Sequence, residues 1–166
     1  MRIMIFSDNH GDNENIARII KKHQPLDRIV SLGDSEMREE ELSQMGIIGV
    51  KGNFPFEPKF PYDLNFIFEG WNFFFTHGHK YHVKMGTSRI LQKAYYEKID
   101  IVCFGHTHQT FLEEISDIVL LNPGSLSYVR SRENPTYALI DLTVNKLEVK
   151  IINIYGNIIK SLEKTR

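Results

Sequence analysis

Seven side chains able to hold a metal ion stand directly behind short apolar runs: Asp8 and His10 in "SDNHGD", Asp34 in "LGDS", Asn53 in "KGNF", His77 in "FTHGH", and His106 with His108 in "FGHTHQ". Each fragment alone has an ordinary explanation. An Asp-x-His can cap a helix, Gly-Asp and Gly-Asn are common turn pairs, and His-x-His can be a surface turn. Their joint occurrence, in order and at five run ends, is what asks for chemistry. Imidazole, amide and carboxylate donors without thiolate suit Mn, Ni, Zn, Fe or Co and disfavour Ca or Mg. Two histidines separated by one residue can serve two neighbouring ions.

The runs have strand length: "RIMIF", "DRIVSL", "GIIGVK", a hairpin "LNFIFEGWNFFFT" turning at Glu69-Gly70, and "IDIVCF". Between them lie helical patterns. "NENIARIIKKH" places Ile16, Ile19 and Ile20 on one face with Asp12 or Asn13 as cap, "SEMREEELSQM" is charged and helical, and "TSRILQKAYYEK" groups Ile90, Leu91, Ala94 and Tyr95. Strands alternating with helices imply right-handed crossovers and a parallel sheet whose crevice lies at the strands' carboxyl ends. The glycines beside each candidate residue fit sharp turns there.

Beyond residue 110 the pattern is mainly β: "TFLEEI", "IVLLN", the turn "NPGS", then "TYALIDL" and "KLEVKIINIY". The bend set by Pro123 and Gly124 reads as rigid scaffolding below the site, and the polar tail from Gly156 receives no assignment. The expected fold is α/β, a four-layer α/β/β/α sandwich of two facing mixed sheets, with residues 1–166 forming one domain.

Composition narrows the function classes. The chain has 166 residues, 42% hydrophobic and 25% charged, with a net charge of -1, so a surface built to grip extended nucleic acid is not expected. The single cysteine, Cys103, sits inside an apolar run and reads as a buried hydrophobe. No apolar run reaches the ~18 residues of a membrane span, and "MRIMIFSDNHGD" lacks the regions of a secretory signal. A cytoplasmic protein is expected.

The ordered set D-x-H, G-D, G-N, H-G-H and G-H-T-H resembles the calcineurin-like metallophosphoesterases, and the "THGH" and "NPGS" segments resemble their small prokaryotic phosphodiesterase subfamily. The resemblance covers about residues 2 to 142. It implies a metallophosphoesterase-like fold and two divalent transition-metal ions, manganese favoured, one held by Asp8, His10, Asp34 and His108 and the other by Asp34, Asn53, His77 and His106. Asp34 would bridge ions roughly 3.5 to 4 Å apart. The implied activity is that of a dinuclear-metal-dependent phosphodiesterase, a metal-bound hydroxide attacking phosphorus in a small phosphoester substrate. Two divalent cations outweigh Asp8, Asp34 and a hydroxide in charge, so the pocket would attract a phosphate oxyanion independently of the family. Alternatives are a phosphomonoesterase and a non-catalytic protein-interaction scaffold, since the retromer subunit of similar fold works through protein contacts.

Larger members of the superfamily follow the G-N pair with a histidine able to protonate the leaving group. Here Phe54 stands at that place, so activated diesters are expected to be better substrates than alkyl monoesters. His79 reads as structural support or as a donor behind the ligands, Asp12 as a cap, and His23 as a surface residue. His82 has no evident partner, and Arg130 or Arg132 could reach a substrate phosphate. Phe73, Phe74 and Phe75 read as core. The "FPFEPKFP" loop, with Phe54, Phe56 and Phe60, either packs on a substrate group or buries itself against a second copy of the chain in a homo-oligomer.

Overall fold

The computed structural model describes residues 1–55, 59–128 and 134–166. In chain order the elements are β1 (Arg2–Phe6), α1 (Asn13–His23), β2 (Arg28–Ser31), α2 (Glu39–Gln44), β3 (Ile47–Gly49), β4 (Asp63–Phe68) and β5 (Trp71–Thr76). Two 3-10 turns, His79–Tyr81 and Val83–Met85, lead into α3 (Ser88–Glu97). Then come β6 (Ile101–Phe104), β7 (Thr110–Ile115), β8 (Ile118–Pro123), β9 (Thr136–Leu142), β10 (Lys146–Asn153) and β11 (Ile158–Thr165).

The strands form two mixed sheets. The first has the order β11-β10-β9-β1-β2-β3 and the second β4-β5-β6-β8-β7. Parallel pairing joins β1 to β2, β2 to β3, β5 to β6 and β6 to β8, and antiparallel pairing joins the rest.

Strand alternation sorts side chains into layers. Ile3 and Ile5 of β1 meet Phe73 and Phe75 of β5 and Cys103 of β6 between the sheets, whereas Met4 and Phe6 turn outward onto Ile16 and Ile19 of α1. On the other side Phe74, Val102 and Phe104 pack against Ile90 and Ala94 of α3. Both faces of the central strands are therefore buried, which is why they read as unbroken apolar runs. The architecture is the expected four-layer α/β/β/α sandwich, and Cys103 lies fully inside it.

Two local expectations change, and the unassigned tail takes a place in the fold. The charged helix spans only Glu39–Gln44, because Ser35 and Glu36 are drawn into contact with the loop after β1. The tail beyond Gly156 is strand β11, antiparallel to β10. Its last residue, Arg166, covers the Trp71 ring at 4.0 Å and pairs with Asp100 at 2.7 Å. His23 is not a plain surface residue. Its Nε2 lies 2.6 Å from the hydroxyl of Tyr137, a buried residue of β9. The cap of α1 is Asp12, whose carboxylate accepts the Asn15 N–H.

Candidate metal centre

The carboxyl ends of β1, β2, β3, β5 and β6 emerge together, and the loops leaving them are tied through the backbone. Asp8 N–H donates to the Gly33 carbonyl at 3.0 Å, His10 N–H to the Asp34 carbonyl at 3.2 Å, and Gly11 N–H to the Ser35 carbonyl at 2.8 Å. His77 of the second sheet crosses to the first through Nδ1, which donates to the Leu32 carbonyl at 2.7 Å. Glycine is required where these loops touch. A Cβ on Gly52 would stand 2.0 Å from Asp34 Oδ1, and one on Gly105 would stand 2.0 Å from the Ser7 hydroxyl and 2.9 Å from Asp8 Oδ2.

The seven expected residues are brought into one chain of contacts. Asp8, Asp34 and His77 are buried and form the floor, while His10, His106, His108 and the exposed Asn53 form the rim. Asp8 Oδ2 accepts from the Ser7 hydroxyl at 2.5 Å and from the His106 N–H at 3.0 Å. Asp8 Oδ1 receives no hydrogen bond among the described residues, although Nε2 of His108 and of His77 stand 3.1 and 3.9 Å away. Leaving such an oxygen buried and unsatisfied costs about 1–3 kcal/mol.

The ring nitrogens around it are aimed into the same space. His77 commits its Nδ1 proton to Leu32, so Nε2 faces Asn53 Oδ1 at 3.3 Å, His106 Nδ1 at 3.2 Å and Asp34 Oδ2 at 3.5 Å. His10 gives its Nδ1 to the Glu36 carboxylate at 2.7 Å and turns Nε2 toward His108 Nε2 at 3.5 Å. Donor atoms of Asp8, His10 and His108, and again of Asp8, Asp34 and His77, lie within 4.8 Å of one another. A proton can answer one of these contacts; a divalent cation answers several at once. Oxygen and imidazole donors without thiolate fit such an ion. The two groupings share Asp8, whereas the resemblance gives the bridging place to Asp34, whose Oδ1 accepts the Phe54 N–H at 2.8 Å.

The electrostatics follow from burial and proximity. Burial would push the Asp8 carboxyl up, but His108, His77 and the Ser7 hydroxyl outweigh it and hold it below the usual carboxylate value. Asp34 behaves likewise, held well down by His77 and the Phe54 N–H against the cost of burial. Burial pulls His77 downward, yet Asp34 and Asp8 raise it overall. His106, pressed by burial and by the charge of His77, is lowered to about 4. Its neutral form, the one able to bind a metal, therefore persists well below neutral pH.

Five of the seven residues have left-handed backbones: Asp8 (φ 52), His10 (φ 45), Asp34 (φ 50), His106 (φ 69) and His108 (φ 58). For a residue with a Cβ this costs roughly 1–2 kcal/mol. The surrounding hydrogen bonds impose it. The "NPGS" turn contributes from below: Asn122 Nδ2 donates to the Gly105 carbonyl at 2.8 Å and to the Thr107 hydroxyl at 3.0 Å, and the Ser125 hydroxyl donates to the Asp8 carbonyl at 2.8 Å.

Other sequence candidates fall into place around this centre. The His79 ring lies 5.4 Å from that of His77 and 6.1 Å from that of His106, with its Nδ1 buried. His82 is exposed, with φ 55 at the joint between the two 3-10 turns. Phe60 packs against the α1–α2 side of the first sheet. Phe56, Arg130 and Arg132 lie outside the described residues. Sequence reasoning missed Ser7 and Glu36. Ser7 sits next to Asp8, but nothing in the spacing marks Glu36, which is 26 residues from His10.

Comparisons with known proteins place the chain among relatives of similar sequence and fold. A protein of Bacillus subtilis named probable metallophosphoesterase YsnB is 30% identical over 98% of this chain and 97% of its own length. A phosphodiesterase of Methanocaldococcus jannaschii is 30% identical over 75% of this chain and 83% of its own. Among solved structures, a conserved uncharacterized protein of Streptococcus pneumoniae, described as a predicted phosphoesterase, superposes with a TM-score of 0.87 at 27% identity, covering 99% of this chain and 97% of the other. Vacuolar protein sorting 29 of Cryptosporidium parvum shares the fold, with a TM-score of 0.84 at 17% identity over 99% and 98% of the two chains. The model of the calcineurin-like phosphoesterase superfamily domain matches residues 1–145, and the chain belongs to that family.

Proposed function

We propose that the chain is a dinuclear-metal phosphodiesterase acting on a small phosphoester. One observation carries the reading: a fully buried carboxylate oxygen, Asp8 Oδ1, has no hydrogen-bond partner among the described residues while imidazole nitrogens converge on it. Asp8, His10, Asp34 and His108 would hold one ion and Asp34, Asn53, His77 and His106 the other. When bound, the ions supply charge stabilisation at phosphorus and a water-derived nucleophile at neutral pH. The protein residues fix that arrangement. Leu32 sets the His77 tautomer, the Phe54 N–H orients Asp34, and the Ser7 hydroxyl with the His106 N–H orients Asp8.

The diester preference rests on Phe54. Its backbone N–H is committed to Asp34, and its side chain can donate no proton to a departing alkoxide. Leaving groups stable as anions should therefore depart fastest. The phosphodiesterase name of the archaeal relative points the same way. The test is hydrolysis of aryl and alkyl diesters and monoesters by chelated protein, before and after Mn, Ni or Zn is returned. Metal-dependent turnover with an aryl diester preferred is expected. Equal rates for aryl and alkyl esters would remove the leaving-group argument, and absence of turnover with every metal would favour a scaffold of the same fold.

A further inference from the structure

Two of the rim and floor histidines have their tautomers set by different partners, and the difference is chemical. His77 donates Nδ1–H to a neutral carbonyl, that of Leu32, inside the core. His10 donates to a carboxylate, that of Glu36, at 2.7 Å. An ionised carboxylate only accepts, so Nδ1 carries the hydrogen and Nε2 keeps its lone pair. That lone pair is the one turned toward Asp8 and His108. A carboxylate behind a metal-binding imidazole both fixes the ring and makes it a stronger donor to a cation.

Glu36 is held there against its own backbone preference. Its φ is 57, a left-handed value that favours glycine. The two residues before it are fastened to the loop that carries His10: the Ser35 carbonyl accepts from the Gly11 N–H at 2.8 Å and from the Asn9 amide at 3.1 Å, and the Asp34 carbonyl accepts from the His10 N–H at 3.2 Å. The Glu36 side chain is only partly exposed, at 30%. A strained position kept at a point of contact with a candidate ligand argues for a task that glycine could not perform.

We infer that Glu36 is a positioning residue for the His10 ion: its carboxylate orients His10 and strengthens the Asp8–His10–His108 site relative to the site around His77. This rests on the two-ion reading above. The consequence is an ordered loss. Removing the carboxylate should weaken one ion and spare the other.

The experiment is a calorimetric titration of manganese into the chelated full chain, for wild type, Glu36→Gln and Glu36→Gly, alongside melting temperatures of the metal-free proteins. Wild type should bind two ions. Both variants should bind one with unchanged affinity and the second about 10- to 100-fold more weakly. Glu36→Gly should melt at or above the wild-type temperature, because it relieves the left-handed backbone, so weaker binding could not be put down to damaged folding. Should wild type bind fewer than two ions, the two-ion reading fails. Should wild type bind two and both variants bind two with wild-type affinities, Glu36 has no such role. Equal weakening of both ions in both variants would also overturn it.

Discussion

Asp34 and Asp8 show what a buried carboxylate needs in order to stay charged. Each is compensated by imidazoles and by backbone or hydroxyl donors on one oxygen, while the other oxygen turns toward histidine nitrogen. Asp34→Asn keeps the volume and removes the charge. It should bind at most one ion tightly and lose about 10³-fold in turnover, the equivalent of several kcal/mol of charge stabilisation; metal content by mass spectrometry and kcat/KM on an aryl diester check this. At this scale the sequence marked residue types and their places after strands, because Asp, Asn and His behind a buried run have few structural reasons to recur. Ser7 and Glu36 were not legible. Their partners are set by how loops cross, and loop crossing leaves no periodicity in the chain.

At the scale of elements, the loops depend on close backbone approach. Gly105→Ala would drive a methyl into the Ser7 hydroxyl and toward Asp8 Oδ2. A loss of about 1–3 kcal/mol is expected in urea unfolding, with weaker manganese binding in the same variant. The α1–β9 contact gives a second prediction. Burial, with Lys22 and Arg2 nearby, lowers His23 from 6.5 in the folded chain. The unfolded chain therefore takes up that proton first as pH falls through about 6.5, and the His23 contribution to stability is lost on the acid side. Wild type should lose more in melting temperature between pH 7.5 and 5.5 than His23→Gln does. A variant with the larger loss would contradict the assignment.

The parallel strands were legible as unbroken apolar runs because both their faces are buried, and α1 and α3 because each carries one period and one buried stripe. Strand β11 was not. Its exposed residues alternate with half-buried Lys160, Leu162 and Lys164, so it carries little apolar signal. It is held by backbone pairing to β10 and by charged contacts, among them Lys164 with Glu114 at 2.5 Å. The shortened α2 has a similar cause, since "SEM" was pulled out of a helical pattern by a neighbouring loop.

On the scale of the molecule, the inter-sheet core runs without a break from Ile3 and Ile5 to Phe73, Phe75 and Cys103, with helices covering both outer faces. We read residues 1–166 as one domain on that basis and expect one cooperative thermal transition. No helix among the described residues is long and apolar enough to cross a membrane. Ions that bind only the folded chain raise its stability by about 2.7 kcal/mol at a hundredfold excess over Kd. Manganese should therefore move the transition upward in differential scanning calorimetry. Asp34→Asn should show much less of that rise.

The left-handed residues around the centre give the fold an uneven balance between sturdiness and chemistry. Substituting glycine at His108 or His106 would abolish a donor and at the same time relax the main chain. Drift away from hydrolysis would then meet little resistance from folding, and a lineage that stopped needing the reaction could shed its donors while its architecture grew more robust.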